Sequence, residues 1–159
     1  MPSYEDISSF SSWSKEDKDL FAVAVIKGLI MDTVRNANSG HTGGPMSSTD
    51  FAYILFSEYL NFDPDDHNWF NRDRFVLSAG HESALLYTLL TLIGWLNIDD
   101  LRDFRQLHSK TPGHPEVDIK GVEATTGPLG QGVEMGIGCL LDTSPRPRDG
   151  LLSRMPSSA

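Results

Sequence analysis

Three of the five histidines directly follow a glycine: His41 in SGHTGG, His81 in AGHES and His114 in PGHPE. Imidazole titrates near neutrality, donates hydrogen bonds and, when neutral, accepts them, so it suits proton transfer and anion binding. A preceding glycine removes side-chain bulk and lets backbone come close to a ligand. The stretch HSKTPGHPE, His108 to Glu116, puts two histidines six positions apart in a segment broken by Pro112, Gly113 and Pro115. Loops that present such groups on a stiff frame are more often sites than spacers. Taken singly, each histidine is as well explained by capping a helix or bonding a carbonyl. Three in one context favour a shared site. Zinc is disfavoured, because the histidines lack i, i+4 spacing and Cys139 is the only cysteine.

TTGPLGQG, Thr125 to Gly132, is a second glycine-rich turn. It is neither the G-x-G-x-x-G of dinucleotide folds nor a Walker loop, since no Lys-Ser or Lys-Thr follows. By itself it reads as an ordinary tight turn.

The elements that must carry these loops follow from capping and periodicity. Ser14 before Lys15, Glu16 and Asp17 has the form of an N-cap with acidic residues in the first turn, predicting a helix to about Asn38. Leu20 to Met31 is apolar nearly all round and is expected to be buried. Ser39 to Pro45 then reads as a loop, because Gly40, Gly43, Gly44 and Pro45 disfavour helix. A second helix is expected from Ser48 or Thr49, turning Phe51, Ile54, Leu55 and Tyr59 inward. Asn61 to Asn71 is polar and reads as a connection. Arg74 to Ser78 has strand propensity, Gly80 ends it, and Leu85, Leu86, Leu89, Leu90 and Ile93 recur at helical spacing. Strand, tight turn and helix in that order suit a phosphate, because backbone N–H groups meet the positive end of the helix. Shorter helices are expected at Asp99–Leu107 and Val133–Leu141.

Net charge of −9 argues against nucleic-acid binding, which needs clustered Lys and Arg. The N-terminus carries Glu5 and Asp6 where a signal peptide would be basic, and one cysteine excludes an intramolecular disulfide; both fit the cytoplasm. Ser83 to Leu96 is too short to span a membrane and reads as a buried helix. From Leu140 the chain is rich in Pro, Ser and Arg, and residues 140–159 are expected to be a disordered tail after a 1–139 domain.

SGHTGGPMS, DRFVLSAGH, FRQLHSKTPGHPE and GVEATTGPLGQGVEMGIG, in that order, resemble the N-terminal part of the transketolase family over roughly Leu20 to Gly138. The resemblance implies an α/β fold, here an incomplete thiamine diphosphate-binding fold that is helix-rich with part of a mostly parallel sheet. It implies transfer of a two-carbon ketol unit from a ketose phosphate to an aldose phosphate, with thiamine diphosphate as electron sink. By position it implies that His41 and His114 face the reacting groups, that His81 reaches the cofactor diphosphate, and that Gly127, Pro128 and Leu129 lie against the cofactor.

The family's Mg2+ is held by a Gly-Asp-Gly segment and a downstream asparagine, and a glutamate in a later domain activates the cofactor. Neither is assignable here, so on the family pattern this chain alone is not expected to catalyse ketol transfer, its own binding of thiamine diphosphate and Mg2+ is in doubt, and no metal ligand is named. Glu82 stands where the family often has a small residue. Family members are homodimers that act on sugar phosphates. The expectation is a truncated chain, inactive alone, whose frame is lost near Cys139. The alternatives are one chain of a split transketolase, or a non-catalytic interaction or anion-binding remnant. A single strand leaves a sheet edge and apolar helix faces exposed, predicting poor solubility, oligomerisation or dependence on a partner.

Overall fold

Ser14 caps the first helix as its sequence requires: its side-chain oxygen accepts from the Asp17 amide at 3.1 Å, and the helix, α1, runs Lys15–Ala37. It ends at Asn38, whose left-handed backbone (φ 48°) terminates the hydrogen-bond ladder. The computed structural model describes residues 7–143, with side chains through Cys139. Beyond α1 come α2 (Gly43–Ile54), a π-helical turn (Leu55–Tyr59), α3 (Ser83–Leu92), α4 (Ile98–Arg102) and α5 (Gln131–Thr143).

The core is built around α3. Every residue from Ser83 to Leu90 is buried, so this helix is apolar on all sides because it is surrounded. Ile26 and Ile30 of α1, Ala52 of α2, and Trp95, Leu101, Phe104 and Val122 from the later segments close around it. Each of the large apolar side chains among these contributes about 1.5–3 kcal/mol by leaving water. At the start of α4 the Asp100 carboxylate accepts from the Asn97 backbone amide at 2.9 Å, and the Asp100 backbone amide donates to the Asn97 backbone carbonyl at 3.0 Å. The polar connection after the π turn is fixed by Arg72, which pairs with Glu123, donates to the His67 carbonyl at 2.6 Å and lies 5.3 Å from the centre of the Trp95 ring.

Three expectations are corrected. Helix α2 starts at Gly43, not near Ser48, because the first turn has unpaired amides in any case and tolerates Pro45 without loss. Its buried face is therefore Pro45, Thr49 and Ala52, with Tyr53 and Phe56 half-buried, while Phe51, Ile54 and Tyr59 face outward at 69%, 46% and 72% exposure. Helix α1 is buried on one face only, through Ile26, Ile30 and Thr33; Leu20 and Met31 are exposed.

No β-strand is formed among the described residues. The segment expected as a strand, Arg74 to Ser78, has no ladder partner there; Phe75 and Leu77 pack on the core, and the Leu77 carbonyl accepts from the Thr126 hydroxyl at 2.7 Å. The helix-rich part of the expected fold stands, and its sheet is not formed by these residues. Helix α5 runs to Thr143, past the boundary expected at 140, and the rest of the expected tail, residues 144–159, lies outside the described residues.

Candidate active site

Each candidate histidine follows a glycine that lies in close contact with another segment. Gly40 turns with φ +136°, and a Cβ there would lie 3.1 Å from the Phe104 ring and 3.2 Å from both methyl groups of Val34. The chain thus wraps tightly over Phe104 and leaves His41 exposed at the start of α2. Gly80 opens the single 3-10 turn that leads into α3, and a Cβ there would meet the Thr126 carbonyl at 2.8 Å and the Gly127 nitrogen at 2.9 Å. Gly113 lies under the Arg105 guanidinium, whose carbon would be 3.1 Å from a Cβ.

Two of the three imidazoles touch. The rings of His41 and His81 have centroids 5.2 Å apart and planes inclined at 71°, an edge-to-face contact. His114 comes to the same region through Gly127: a Cβ on Gly127 would lie 3.7 Å from Cδ2 of His114, and Gly127 is the residue whose nitrogen abuts Gly80. Leu129 of the GPL turn is 78% exposed, Pro128 is exposed, and its carbonyl accepts from the Gln131 amide at 3.3 Å.

The His114 loop is held by its carbonyls. Those of Gly113, His114 and Pro115 accept from the Ser83 hydroxyl (2.8 Å), the Tyr87 hydroxyl (3.2 Å) and the Thr126 amide (3.2 Å). Upstream, the Arg105 amide donates to the Thr111 carbonyl at 2.9 Å and the Thr111 hydroxyl to the Asp100 carbonyl at 2.6 Å. Arg105 and His108 both adopt left-handed backbone, φ 60° and 64°, a conformation costing an L residue about 1–2 kcal/mol. His108 is exposed in that bend, and His67 lies against Trp95; neither ring is among those brought together. Burial first, then the negative charges of Glu116 and Asp118, push the Tyr87 phenol well above its ordinary value, so it remains a donor to His114.

Glu82 is the residue that precedes α3, and its side chain turns towards α2. Its carboxylate packs over Gly44, where a Cβ would be 2.6 Å from Oε1, which places negative charge at the start of α2. Neither α2 nor α3 receives a hydrogen bond from its own N-cap side chain, but the 3-10 turn before α3 already engages the Ser83 amide through the Gly80 carbonyl, and Glu82 puts negative charge at the start of α2. The imidazoles of His41 and His81 beside these starts are the groups that fit an anionic cofactor. Divalent metal is another matter: among the described residues no three His, Cys, Asp or Glu side chains gather in a way that could hold an ion. Nor is any helix among them long and apolar enough to cross a membrane.

Sequence reasoning missed the residues that fasten these loops: Ser83, Tyr87, Phe104, Arg105 and Thr126. Tyr87 carried a signal, since a phenol inside an otherwise apolar helix requires a partner for its hydroxyl. The others emerge only once separate loops are in contact.

Comparison with known proteins bears on the family. The family described as transketolase, thiamine diphosphate binding domain, matches residues 18–144. Transketolase of Staphylococcus aureus is 55% identical over 126 residues, covering 79% of this chain and 19% of that protein. That of Bacillus subtilis is 56% identical over 119 residues, covering 74% and 18%. A crystal structure of transketolase from Pichia stipitis, in complex with sedoheptulose-7-phosphate, superposes with a TM-score of 0.75 at 52% identity, covering 77% of this chain and 18% of that one. This chain therefore spans about a fifth of the length of these relatives. On the combined weight of the matched domain, the identity and the fold, the chain belongs to the transketolase family.

Proposed function

We propose that this chain supplies part of a thiamine diphosphate-dependent site for ketol transfer between sugar phosphates. The observation that carries the reading is the meeting of His41 and His81 edge to face, with His114 linked to them through Gly127 and Gly80. The Pichia stipitis relative was crystallised with a ketose phosphate, which supports sugar phosphates as the substrate class.

His81 would hold the diphosphate, and Gly127, Pro128 and Leu129 would lie against the cofactor. When bound, thiamine diphosphate supplies the electron sink that carbon–carbon cleavage requires. An imidazole nitrogen of His41 or His114 would hold a proton near the ketol oxygens and exchange it as the carbonyl forms and is lost. The hydrogen bonds from Ser83 and Tyr87 keep His114 from drifting, which matters because misplacement by about 1 Å costs on the order of 100-fold in rate. Mg2+ and activation of the cofactor would depend on groups beyond the described residues. Exposed Phe51, Leu92, Val133 and Ile137 are in keeping with a surface that further chain covers.

Calorimetric titration of the chain with thiamine diphosphate and Mg2+, with and without His81→Ala, tests the reading. Saturable binding that the substitution weakens at least about tenfold, the equivalent of 1.4 kcal/mol, supports it. Absence of binding at millimolar cofactor, or binding indifferent to His81, contradicts it.

A further inference from the structure

The residues before His41 and His114 rest on two consecutive residues of one segment. The Phe104 ring lies against Gly40, and the Arg105 guanidinium lies against Gly113; a Cβ on either glycine would be 3.1 Å from its neighbour. The guanidinium also reaches back to the first loop, where Nη1 donates to the Ser39 hydroxyl at 3.0 Å, and its carbon lies 5.5 Å from the centre of the Phe104 ring. One planar cation thus touches both histidine loops and the aromatic residue beneath them.

We propose that Arg105, seated on Phe104, is the positioning residue that fixes the gap between the His41 and His114 loops. The inference rests on the assignment of those histidines to one site. Three further features support it. The left-handed backbone at Arg105 is pinned by its amide bond to Thr111, which sets where its side chain can point. Its Nε is buried without a hydrogen-bond partner, so the group sits where it fills the space between loops and not where its own donors are best satisfied. Among the described residues no carboxylate pairs with it, unlike Arg72, Arg74 and Arg102. An open surface groove lined by Ser39, Arg105, His108, Pro112 and Gly113 among others adjoins the guanidinium on its outer side, so the two loops have room to shift should it be removed.

The test reads ring positions by NMR in the labelled chain without cofactor, so failure of cofactor binding would strike the functional reading alone. Arg105→Met keeps the aliphatic stem and removes the fork. The expected result is loss of the cross-peak between the His114 ring and Gly127, together with a shift of the His41 ring resonances, while those of His67 stay in place. Ser39→Ala removes a single exposed hydroxyl and covers the case in which the arginine variant does not fold; it should shift the His114 ring resonances as well as those of His41. Changes confined to His114 in the first variant, or to His41 in the second, would overturn the proposal.

Discussion

The ring of His41 meets that of His81 edge-on at a centroid separation of 5.2 Å, although the two belong to separate loops at the starts of α2 and α3. His41 is exposed and supports little packing. His41→Ala should therefore change stability by less than about 0.5 kcal/mol. In an assay of ketol transfer by protein carrying this segment, the same substitution should lower turnover by about 10²–10⁴-fold. A loss of stability that accounts for the whole loss of rate would contradict the assignment.

Gly80 and Gly127 lie against each other but should respond differently to alanine. At Gly80 the added methyl would press on backbone atoms 2.8–2.9 Å away that cannot rotate aside. The expected cost is about 1–3 kcal/mol by urea unfolding. At Gly127 the nearest atoms would be 3.7 and 3.8 Å away on His114, which is ordinary contact. Gly127→Ala should unfold close to wild type.

Tyr87 links the core to the site, and its ionisation gives a signed dependence on pH. Burial first, and the nearby carboxylates second, raise its folded value above the unfolded one of about 10. The folded state therefore holds this proton more tightly. Its contribution is complete below pH ~10 and is lost as pH rises towards the folded value. Tyr53 is raised in the same sense, by burial and then by its bond to Asp19. Tyr87→Phe should remove part of the alkaline decline and, at neutral pH, cost about 0.5–1.5 kcal/mol for the bond to the His114 carbonyl. An unchanged alkaline slope in denaturation curves recorded from pH 8 to 11 would count against this origin.

The Arg72–Glu123 pair is the ionic contact with least exposure among the described residues, at 6% and 15% of side-chain area. Removing one partner of a buried pair costs about 3–5 kcal/mol when the other charge is left unpaired. Glu123 keeps Arg74 at 3.4 Å as a second cation, so Arg72→Met should fall below that range, at about 1–3 kcal/mol by chemical denaturation, including loss of the bonds to His67 and Asp73. Adding Glu123→Gln should recover part of it. A double variant less stable than the single one would show that the pair's charge is not what matters.

Much of this layout could be read from residue types. The Ser14 cap, the buried α3 and the loop character of Gly40–His41 and Pro112–Pro115 follow from local chemistry, and the spacing of the four motifs points to the family. The start of α2 was misplaced because glycines and proline read as breakers are harmless in a first turn, and shifting the start turned a different face inward. The strand at Arg74–Ser78 is a long-range property: its side chains suit a sheet, but a ladder needs a neighbour that these residues do not provide. The contacts of Phe104 with Gly40 and of Arg105 with Gly113 and Ser39 are illegible for a similar reason, since they join loops that only folding brings together.

The central claim is that His41, His81 and His114 serve one bound thiamine diphosphate, and their side-chain resonances report on it most directly. Titration of the labelled chain with thiamine diphosphate and Mg2+ should move all three imidazoles along one binding curve, leaving His67 unmoved. Movement of one ring alone, or curves with different midpoints, would contradict a shared site.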